Sequence, residues 1–451
     1  MKIAVIGAGK VGKTIIKHIA LENHEVTIID KSPKVVEQTV DLYDVMGIAG
    51  NGASYEIQKS ARIDKADLVI STTSSDEVNI LSCIVAKQLG AKATVARVRS
   101  YDYSNQINLI SQKLGINMTI NPELETANEI TNIVNFPEAI MVESFAKGKV
   151  ELVEIFVPEN SEIVGKNLLE LHDLYKVQIL VCAIERGEEV FIPDGKSVIH
   201  AKDKIYITSS KPKVKIFAQK LGLFDSKIKD ILIIGGGKIS LYLAETLLKN
   251  KYDVKIIEKD YNRCIELNEL LPSATIIHGD GTDQDLLLEE GISSIDAIIP
   301  LTNSDEENII ISLFAAKQNA KKLVTKINKQ SFVDLIETLD MTSVVSPKEI
   351  TSHKILSYIR AKSNSHGSNV RTLYKLVNGQ VEAIEFKAKN DKKIVNICLK
   401  DITLKKNILI AAIIRENEVI IPGGNDFIKA DDSVIVISKD HLLDDLSDIL
   451  E

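Results

Sequence analysis

The stretch IAVIGAGKVG at residues 3–12 is answered by ILIIGGGKIS at residues 231–240, and this recurrence constrains the fold more than any other feature of the chain. The offset is 228 positions from Gly7 to Gly235, and again from Asp30 in EVTIID to Glu258 in DVKIIE. It is 229 from GNG at 50–52 to GDG at 279–281, and from SSDEVN at 74–79 to NSDEEN at 303–308. VARVRS from Val95 is matched by VTKINK from Val324, FIPDG at 191–195 by IIPGG at 420–424, and DKIYITSS at 203–210 by DSVIVISK at 432–439. One glycine loop can recur by chance. Ordered landmarks at one spacing mean a tandem duplication of about 225 residues. Whatever one copy folds into must therefore be built twice, and 451 residues are enough for several separate cores.

Each copy divides again. Its first part alternates short Ile/Val-rich runs with helical stretches: KIAVIGAG, KTIIKHIALEN, EVTIID, KVVEQTVDLY, ADLVIST, VNILSCIVAKQLG, ATVARV. Continuous apolar strands separated by helices predict a parallel sheet covered on both faces. The second part, from about Val150 to Ser210 in the first copy, has short alternating strands and Gly/Pro turns and reads as a small α+β module. The fold class is thus α/β, a tandem duplication in which each copy is a Rossmann-like parallel-sheet domain followed by a small α+β C-lobe. The expected boundaries are a first Rossmann-like domain at 1–122, a crossover helix at 123–140 and a first C-lobe at 141–225. The second copy repeats them at 226–345, 346–365 and 366–451. Both crossover helices begin just after a proline, in NPELETANEITNIVN and SPKEITSHKILSYIR.

Composition removes several function classes. A net charge of −8 argues against a nucleic-acid partner, which wants a basic surface. Cys83, Cys182, Cys264 and Cys398 are scattered without metal-ligand or redox spacing, and read as buried thiols in a reducing compartment. The eight histidines include no pair at helical i, i+4 spacing, so no metal site is expected. The chain enters KIAVIG after Met1 without a leader-like apolar helix, and no apolar run approaches the roughly 20 residues of a membrane helix. A cytoplasmic protein is expected.

The glycine loop has a mechanical purpose. In strand–G-x-G-x-x-G–helix, Gly7 permits a tight turn, Gly9 lets backbone approach a pyrophosphate, and Gly12 lets the helix pack close to the strand. Phosphates then lie on the helix N-terminus, where unpaired N–H groups and the dipole favour anions. Asp30, 18 residues beyond Gly12, is placed to accept a ribose hydroxyl, and would repel a 2′-phosphate, favouring NAD or ATP over NADP. The competing account is that the glycines merely shape a tight turn. Asn51 in GNG suits either a contact to the base or a glycine-flanked turn. Ser74 or Ser75 suits a helix cap, with Asp76 and Glu77 in the first turn, while Thr73 and Ser74 could face a ligand at the same sheet edge. Arg97 points toward that crevice, where a guanidinium suits phosphates; a salt bridge to Asp76 or Glu77 is the alternative. In the second copy the corresponding positions are Gly235, Gly237, Glu258 and Asp280, with Ser240 replacing the third glycine and Lys326 replacing Arg97. A bulkier residue at 240, where helix and strand should touch, leaves the second ligand open.

A dehydrogenase needs a proton donor beside the nicotinamide. His172 and His200 of the first small module have no counterparts in the second, and no convergent His/Asp or Tyr/Lys pattern appears. Duplication of a whole unit makes more sense if the nucleotide biases a shared conformation. The reading is a non-enzymatic sensor; an NAD-dependent oxidoreductase and a ring scaffold with empty pockets are the alternatives.

The pattern MKIAVIGAGKVG, VTIID, GNG, TSSDE, ARVRS and NPE resembles the TrkA family of Trk-type potassium uptake regulatory proteins, and more broadly the domains that regulate potassium conductance (RCK domains). The resemblance spans essentially the whole chain. It implies a cytoplasmic, peripheral regulator at the inner face of the cell membrane that binds NAD(H), and ATP or ADP, and gates a membrane potassium transporter subunit. It also implies a homotetramer forming an eight-unit ring. Carried over residue by residue, the cofactor contacts are Gly7, Ala8, Gly9, Lys10, Val11, Asp30, Thr73, Ser74 and Arg97, with Gly12 completing the loop.

Overall fold

The runs KIAVI and LVIS are apolar on both alternating faces, and both become strands buried from their second residue or throughout. A computed structural model describes residues 1–451 except 23, 101–102, 104–110, 112, 136–138, 147, 221–227, 319, 330, 333–341, 364–369, 378–379, 392, 442 and 444. In it β1 (Lys2–Ile6), β2 (Glu25–Asp30), β3 (Met46–Ala49), β4 (Leu68–Ser71), β5 (Ala93–Arg97) and β6 (Met118–Ile120) form one sheet in the order β3-β2-β1-β4-β5-β6. Every neighbouring pair is parallel. The strand order reverses between β1 and β4, and such a switch point opens a crevice beyond the carboxyl ends of the strands.

Helices α1 (Lys10–Ala20), α2 (Pro33–Tyr43), α3 (Tyr55–Ser60) and α4 (Asp76–Leu89) connect the strands. In α1 the buried positions Val11, Ile15, Ile16 and Ile19 recur at three- and four-residue spacing, so one stripe of the helix faces the sheet. Helix α5 (Pro122–Asn135) leads to the small lobe: β7 (Ala139–Phe145), β8 (Val150–Phe156), α6 (Leu168–Tyr175), β9 (Leu180–Arg186), β10 (Glu189–Phe191), β11 (Lys204–Ser210) and α7 (Lys211–Lys220). Its antiparallel sheet has the order β10-β9-β11-β8-β7.

The second copy repeats this plan. Its first sheet is β12 (Asp230–Ile234), β13 (Asp253–Glu258), β14 (Thr275–His278), β15 (Ala297–Pro300), β16 (Lys322–Lys326) and β17 (Thr342–Val345), in the order β14-β13-β12-β15-β16-β17. The helices are α8 (Lys238–Lys249), α9 (Tyr261–Leu270), α10 (Gln284–Glu289), α11 (Asp305–Lys317) and α12 (Pro347–Ser363). The last lobe is β18 (Val370–Leu376), β19 (Val381–Lys387), β20 (Ile408–Arg415), β21 (Glu418–Ile420) and β22 (Ser433–Lys439), in the order β18-β19-β22-β20-β21. Read from the opposite edge, this is the first lobe's order. The expected fold class, a tandem α/β duplication with small α+β lobes, is the fold observed.

The compact units draw on both copies of the repeat. One compact unit joins Met1–Asn128 to Val345–Ile359, and the other joins Glu129–Val344 to Arg360–Glu451. In the first unit, Ile355, Leu356 and Ile359 of α12 enter the same core as Ile3, Ile15 and Ile19. The crossover helix of the second copy thus completes the first sheet's core. In the second unit the Asn135 carbonyl oxygen Oδ1 at the end of α5 accepts a hydrogen bond of 2.9 Å from the Tyr252 hydroxyl of the second copy. There, too, the two small lobes share one core, with Val150, Leu152 and Tyr206 of one lobe against Ala383, Ala412 and Ile437 of the other. The Ala146 N–H donates to Glu385 Oε2 at 3.1 Å across that pairing, and Lys439 Nζ to the Val190 carbonyl at 2.7 Å. Among the described residues no helix is long and apolar enough to cross a membrane.

Candidate nucleotide sites at the two switch points

At the carboxyl end of β1 the chain must turn sharply into α1. Gly7 does so with φ +93°, and a Cβ on Gly12 would lie 2.0 Å from the Gly7 carbonyl oxygen, so only glycine fits there. A Cβ on Gly9 would instead meet no atom within 4 Å. Gly9 is also the N-cap of α1, and no side chain bonds the helix's first N–H groups. At the adjacent switch-point strand, by contrast, Ser75 caps α4, its Oγ accepting from the Val78 N–H at 3.2 Å. The one helix start left bare among these two is the one that faces open space. That is the geometry an anionic group requires.

Asp30 closes the other side of the loop. Its Oδ2 accepts from the Ala8 N–H at 2.8 Å and its Oδ1 from the Ser32 N–H at 2.9 Å, one bond to each oxygen, so each keeps a second lone pair. Ala8 and Val11 have buried side chains, and the Ala8 N–H is already held by Asp30, whereas Gly9 and Lys10 are exposed. Arg97, half-buried, donates from Nη1 to the Thr73 carbonyl at 3.4 Å, while its Nε is buried without a partner. Burial, then the neighbouring Arg99, lower its pKa against the opposing pull of Glu123 and Asp76. A guanidinium so poorly compensated favours an incoming anion. The alternative of an Arg97–Asp76 salt bridge is not what the carboxylate does: Asp76 Oδ2 accepts from the N–H groups of Arg99 and Ser100 at 2.8 and 2.7 Å. Glu77 takes the Ser75 hydroxyl instead, at 2.7 Å. Asn51 Oδ1 accepts from the Ala53 N–H at 3.0 Å, the side-chain turn that its glycine-flanked position allowed. Ser74 is exposed at the crevice rim, beside Thr73.

Asn79 escaped the sequence reading. It is fully buried, and its Oδ1 accepts from the Thr73 N–H and hydroxyl, both at 2.7 Å, and from the Ser71 hydroxyl at 3.0 Å. Its Nδ2 donates to the carbonyls of Thr73 and Arg97 at 3.2 and 2.9 Å. It therefore locks β4 to β5 beneath the two residues that flank the crevice. Asn308 does the same in the second copy, bonding Thr302 N–H at 2.9 Å and the Lys326 carbonyl at 3.0 Å. The signal was present: both quoted motifs, SSDEVN and NSDEEN, end on this asparagine.

In the second copy the loop keeps its shape by other means. Gly235 has φ +101°, a Cβ on Gly237 would again meet open space, and α8 has no side-chain cap. The longer Glu258 makes the same clasp as Asp30, accepting from Gly236 N–H at 2.6 Å and Asp260 N–H at 2.8 Å. Ser240 does not wedge helix from strand, as its bulk suggested. Its hydroxyl donates to the Gly235 carbonyl. In the first copy that carbonyl, on Gly7, is served by Thr72 Oγ1 at 3.0 Å; the corresponding residue here is Leu301, whose side chain has no donor. The two substitutions compensate each other. Two further differences alter the crevice itself. Arg263, where the first copy has Val35, lays its Nε on the Gly236 carbonyl at 2.7 Å. Lys326 is buried, with Nζ 3.3 Å from the Leu301 carbonyl. Asp280 sits in a turn like Asn51, accepting from the N–H and hydroxyl of Thr282 at 2.9 and 2.7 Å, contacts that lower its pKa.

Comparison with known proteins places these two sites in a family context. The TrkA-N domain model matches residues 3–122 and 231–347, and the TrkA-C domain model matches 152–222 and 383–451. The chain is 35% identical over 448 residues to the Trk system potassium uptake protein TrkA homolog 1 of Methanosarcina mazei, covering 97% of each. It is 32% identical over 450 residues to the Trk system potassium uptake protein TrkA of Halomonas elongata, covering 98% of this chain and 95% of that one. Among solved structures, the GsuK channel bound to NAD matches with a TM-score of 0.65 at 15% identity, covering 97% of this chain and 77% of that one. GsuK bound to ADP matches with a TM-score of 0.50 at 15% identity, over 81% and 69%.

Proposed function

This chain belongs to the TrkA family of Trk-system potassium uptake proteins, and we propose that it acts there as a cytoplasmic, nucleotide-sensing regulatory subunit that gates a membrane potassium uptake transporter. NAD(H) binds at the first switch point, and ATP or ADP competes for the same place. The nucleotide is a signal, not a reactant. It shifts the subunit between two conformations by the difference in its affinity for them. The subunit assembles as a homotetramer whose eight Rossmann-like units form a ring at the inner face of the membrane, where it meets its transporter.

The observation that carries this reading is the first loop: a bare helix start at Gly9 in open space, with Asp30 clasped to Ala8 on one side and the under-compensated Arg97 on the other. Gly9, Lys10, Val11 and Gly12 hold the pyrophosphate through backbone N–H groups, while Gly7 and Ala8, whose N–H groups are taken by the Ile29 carbonyl and Asp30, shape the loop beneath it; Asp30 holds ribose hydroxyls, and Asn51 lies against the base. Thr73, Ser74 and Arg97 line the far wall, toward the phosphates. At the second site Gly235, Gly237, Glu258 and Asp280 hold the corresponding positions. Arg263 and the buried Lys326 make that crevice different, so it binds a dinucleotide more weakly or takes a different nucleotide. The relatives named for potassium uptake and the fold shared with an NAD-bound channel support the assignment. The test is calorimetric titration of the full chain with NADH, NAD, ATP and ADP, repeated with Asp30→Ala and Glu258→Ala. Binding of NADH lost chiefly in Asp30→Ala is expected. No binding by any of the four nucleotides overturns the sensor.

A further inference from the structure

Away from both crevices, α1 and α12 bring together three groups that lie far apart in the sequence. His18 in the last turn of α1, Glu349 in the first turn of α12 and His353 one turn further on each offer one donor atom, and the three atoms lie within 4.8 Å of one another. His18 Nε2 is 3.5 Å from Glu349 Oε2, and the His18 and His353 rings meet edge to face with centroids 6.1 Å apart. Glu349 and His353 are an i, i+4 pair, so both project from one face of α12 toward α1. The side chains of His18 and Glu349 are 25% and 30% exposed, enough for an ion to enter and too little for free solvation. All three belong to the first compact unit.

We propose that His18, Glu349 and His353 form a divalent transition-metal site, of the zinc class, that pins α12 onto the first Rossmann-like domain. Zn²⁺ is held by imidazole nitrogens at about 2.0–2.1 Å and by carboxylate oxygens at about 2.0–2.2 Å, which sets tetrahedral ligand atoms about 3.3–3.4 Å apart. The His18–Glu349 separation of 3.5 Å is close to that value, and the third atom needs to close by at most about 1.5 Å, which side-chain rotation supplies. Two imidazoles and one carboxylate suit zinc, cobalt or nickel, whereas calcium and magnesium ask for an oxygen cage. His18 also stands at the C-terminal end of α1, where the helix dipole favours a cation. The competing positive charge, Lys348 Nζ, lies 3.9 Å from the other carboxylate oxygen, Oε1, and leaves Oε2 to the histidines. Three protein ligands leave one tetrahedral position for water. The ion acts there as a cross-link, because its ligands join helices separated by more than 300 residues of chain.

The experiment uses the full chain, stripped with chelator and titrated calorimetrically with Zn²⁺ at pH 7.5, with thermal unfolding followed in parallel. One ion per chain is expected, with a rise in Tm. His18→Gln, Glu349→Gln and His353→Gln should each weaken binding by at least about 10-fold and abolish the rise. His200→Gln, at an exposed histidine of the first small lobe, should leave both unchanged. Absence of one-to-one binding, or binding unaltered in a folded His18→Gln/His353→Gln chain, overturns the site and leaves an ion pair only. If a variant does not fold, the wild-type Co²⁺ complex decides: intense visible bands of tetrahedral nitrogen/oxygen ligation are expected, and the weak spectrum of the aquo ion refutes the proposal.

Discussion

Asp30→Ala tests the proposed ribose contact and the loop clasp at once, and the structure separates the two effects. In the free protein the carboxylate holds two N–H groups, Ala8 at 2.8 Å and Ser32 at 2.9 Å. The Ser32 amide can rehydrate after truncation. Ala8 is buried, so its amide is left without a partner, and a buried unsatisfied donor costs about 1–3 kcal/mol. That range is the expected loss of stability in the absence of ligand. Binding loses a further hydrogen bond from a ribose hydroxyl to a charged acceptor, about 1.5–3 kcal/mol, or a factor of about 10–150 in Kd. Asp30→Asn keeps one acceptor oxygen and should fall between wild type and alanine in both quantities. Urea unfolding reads the first effect and NADH calorimetry the second. A folded Asp30→Ala chain with unchanged NADH affinity would refute the ribose assignment, even if its stability had dropped as calculated.

Asn79→Ala removes every bond joining β4 to β5 through that side chain; a loss of about 2–4 kcal/mol is expected in urea unfolding, with weaker NADH binding although Asn79 itself faces no ligand. Ser240→Gly leaves the Gly235 carbonyl without its hydroxyl donor and should cost about 1 kcal/mol, and adding Leu301→Thr should restore most of it, so a double-mutant cycle should show coupling. Asp67 is raised in pKa by burial, but Lys92 and the Lys2 N–H outweigh this and leave it lowered. Its carboxylate therefore stabilises the fold fully above the unfolded-state value of about 4 and loses that contribution as pH falls through the lower folded value. Asp67→Asn should reduce stability at pH 7 and flatten the acid limb of the stability–pH curve. Light scattering at micromolar concentration should report a tetramer, and a monomer alone would count against the ring.

Much of this was legible because duplication supplies its own control. A loop, a strand-end acid and a serine-capped helix each fit several folds, but their recurrence at one offset leaves few, and the two parallel sheets share one strand order. What stayed hidden was relational. Ile355, Leu356 and Ile359 announce an apolar face, but spacing along a helix cannot say which sheet covers it. Thr72 and Gly12 in one copy, Leu301 and Ser240 in the other, are each mild differences when read singly. Only their shared carbonyl shows them to be one exchange. His18 shows no metal-ligand spacing with Glu349 and His353 because the spacing that matters crosses two helices. Asn79 was quoted within its motif, yet a buried asparagine and a surface one are spelled alike.

The placement of α12 has a consequence for how the chain comes off the ribosome. The first sheet and its helices are complete by about residue 128, but the core they enclose includes Ile355, Leu356 and Ile359. At about 5–20 residues per second, the ribosome takes on the order of 10–45 s to deliver them after the rest of the unit has emerged. During that interval the apolar patch meant for α12 is open to chaperones, to neighbouring nascent chains, or to the same helix of another copy. A chain cut between the two halves would never receive its last helix. The N-terminal half is therefore expected to be born sticky and to mature late, in spite of coming first.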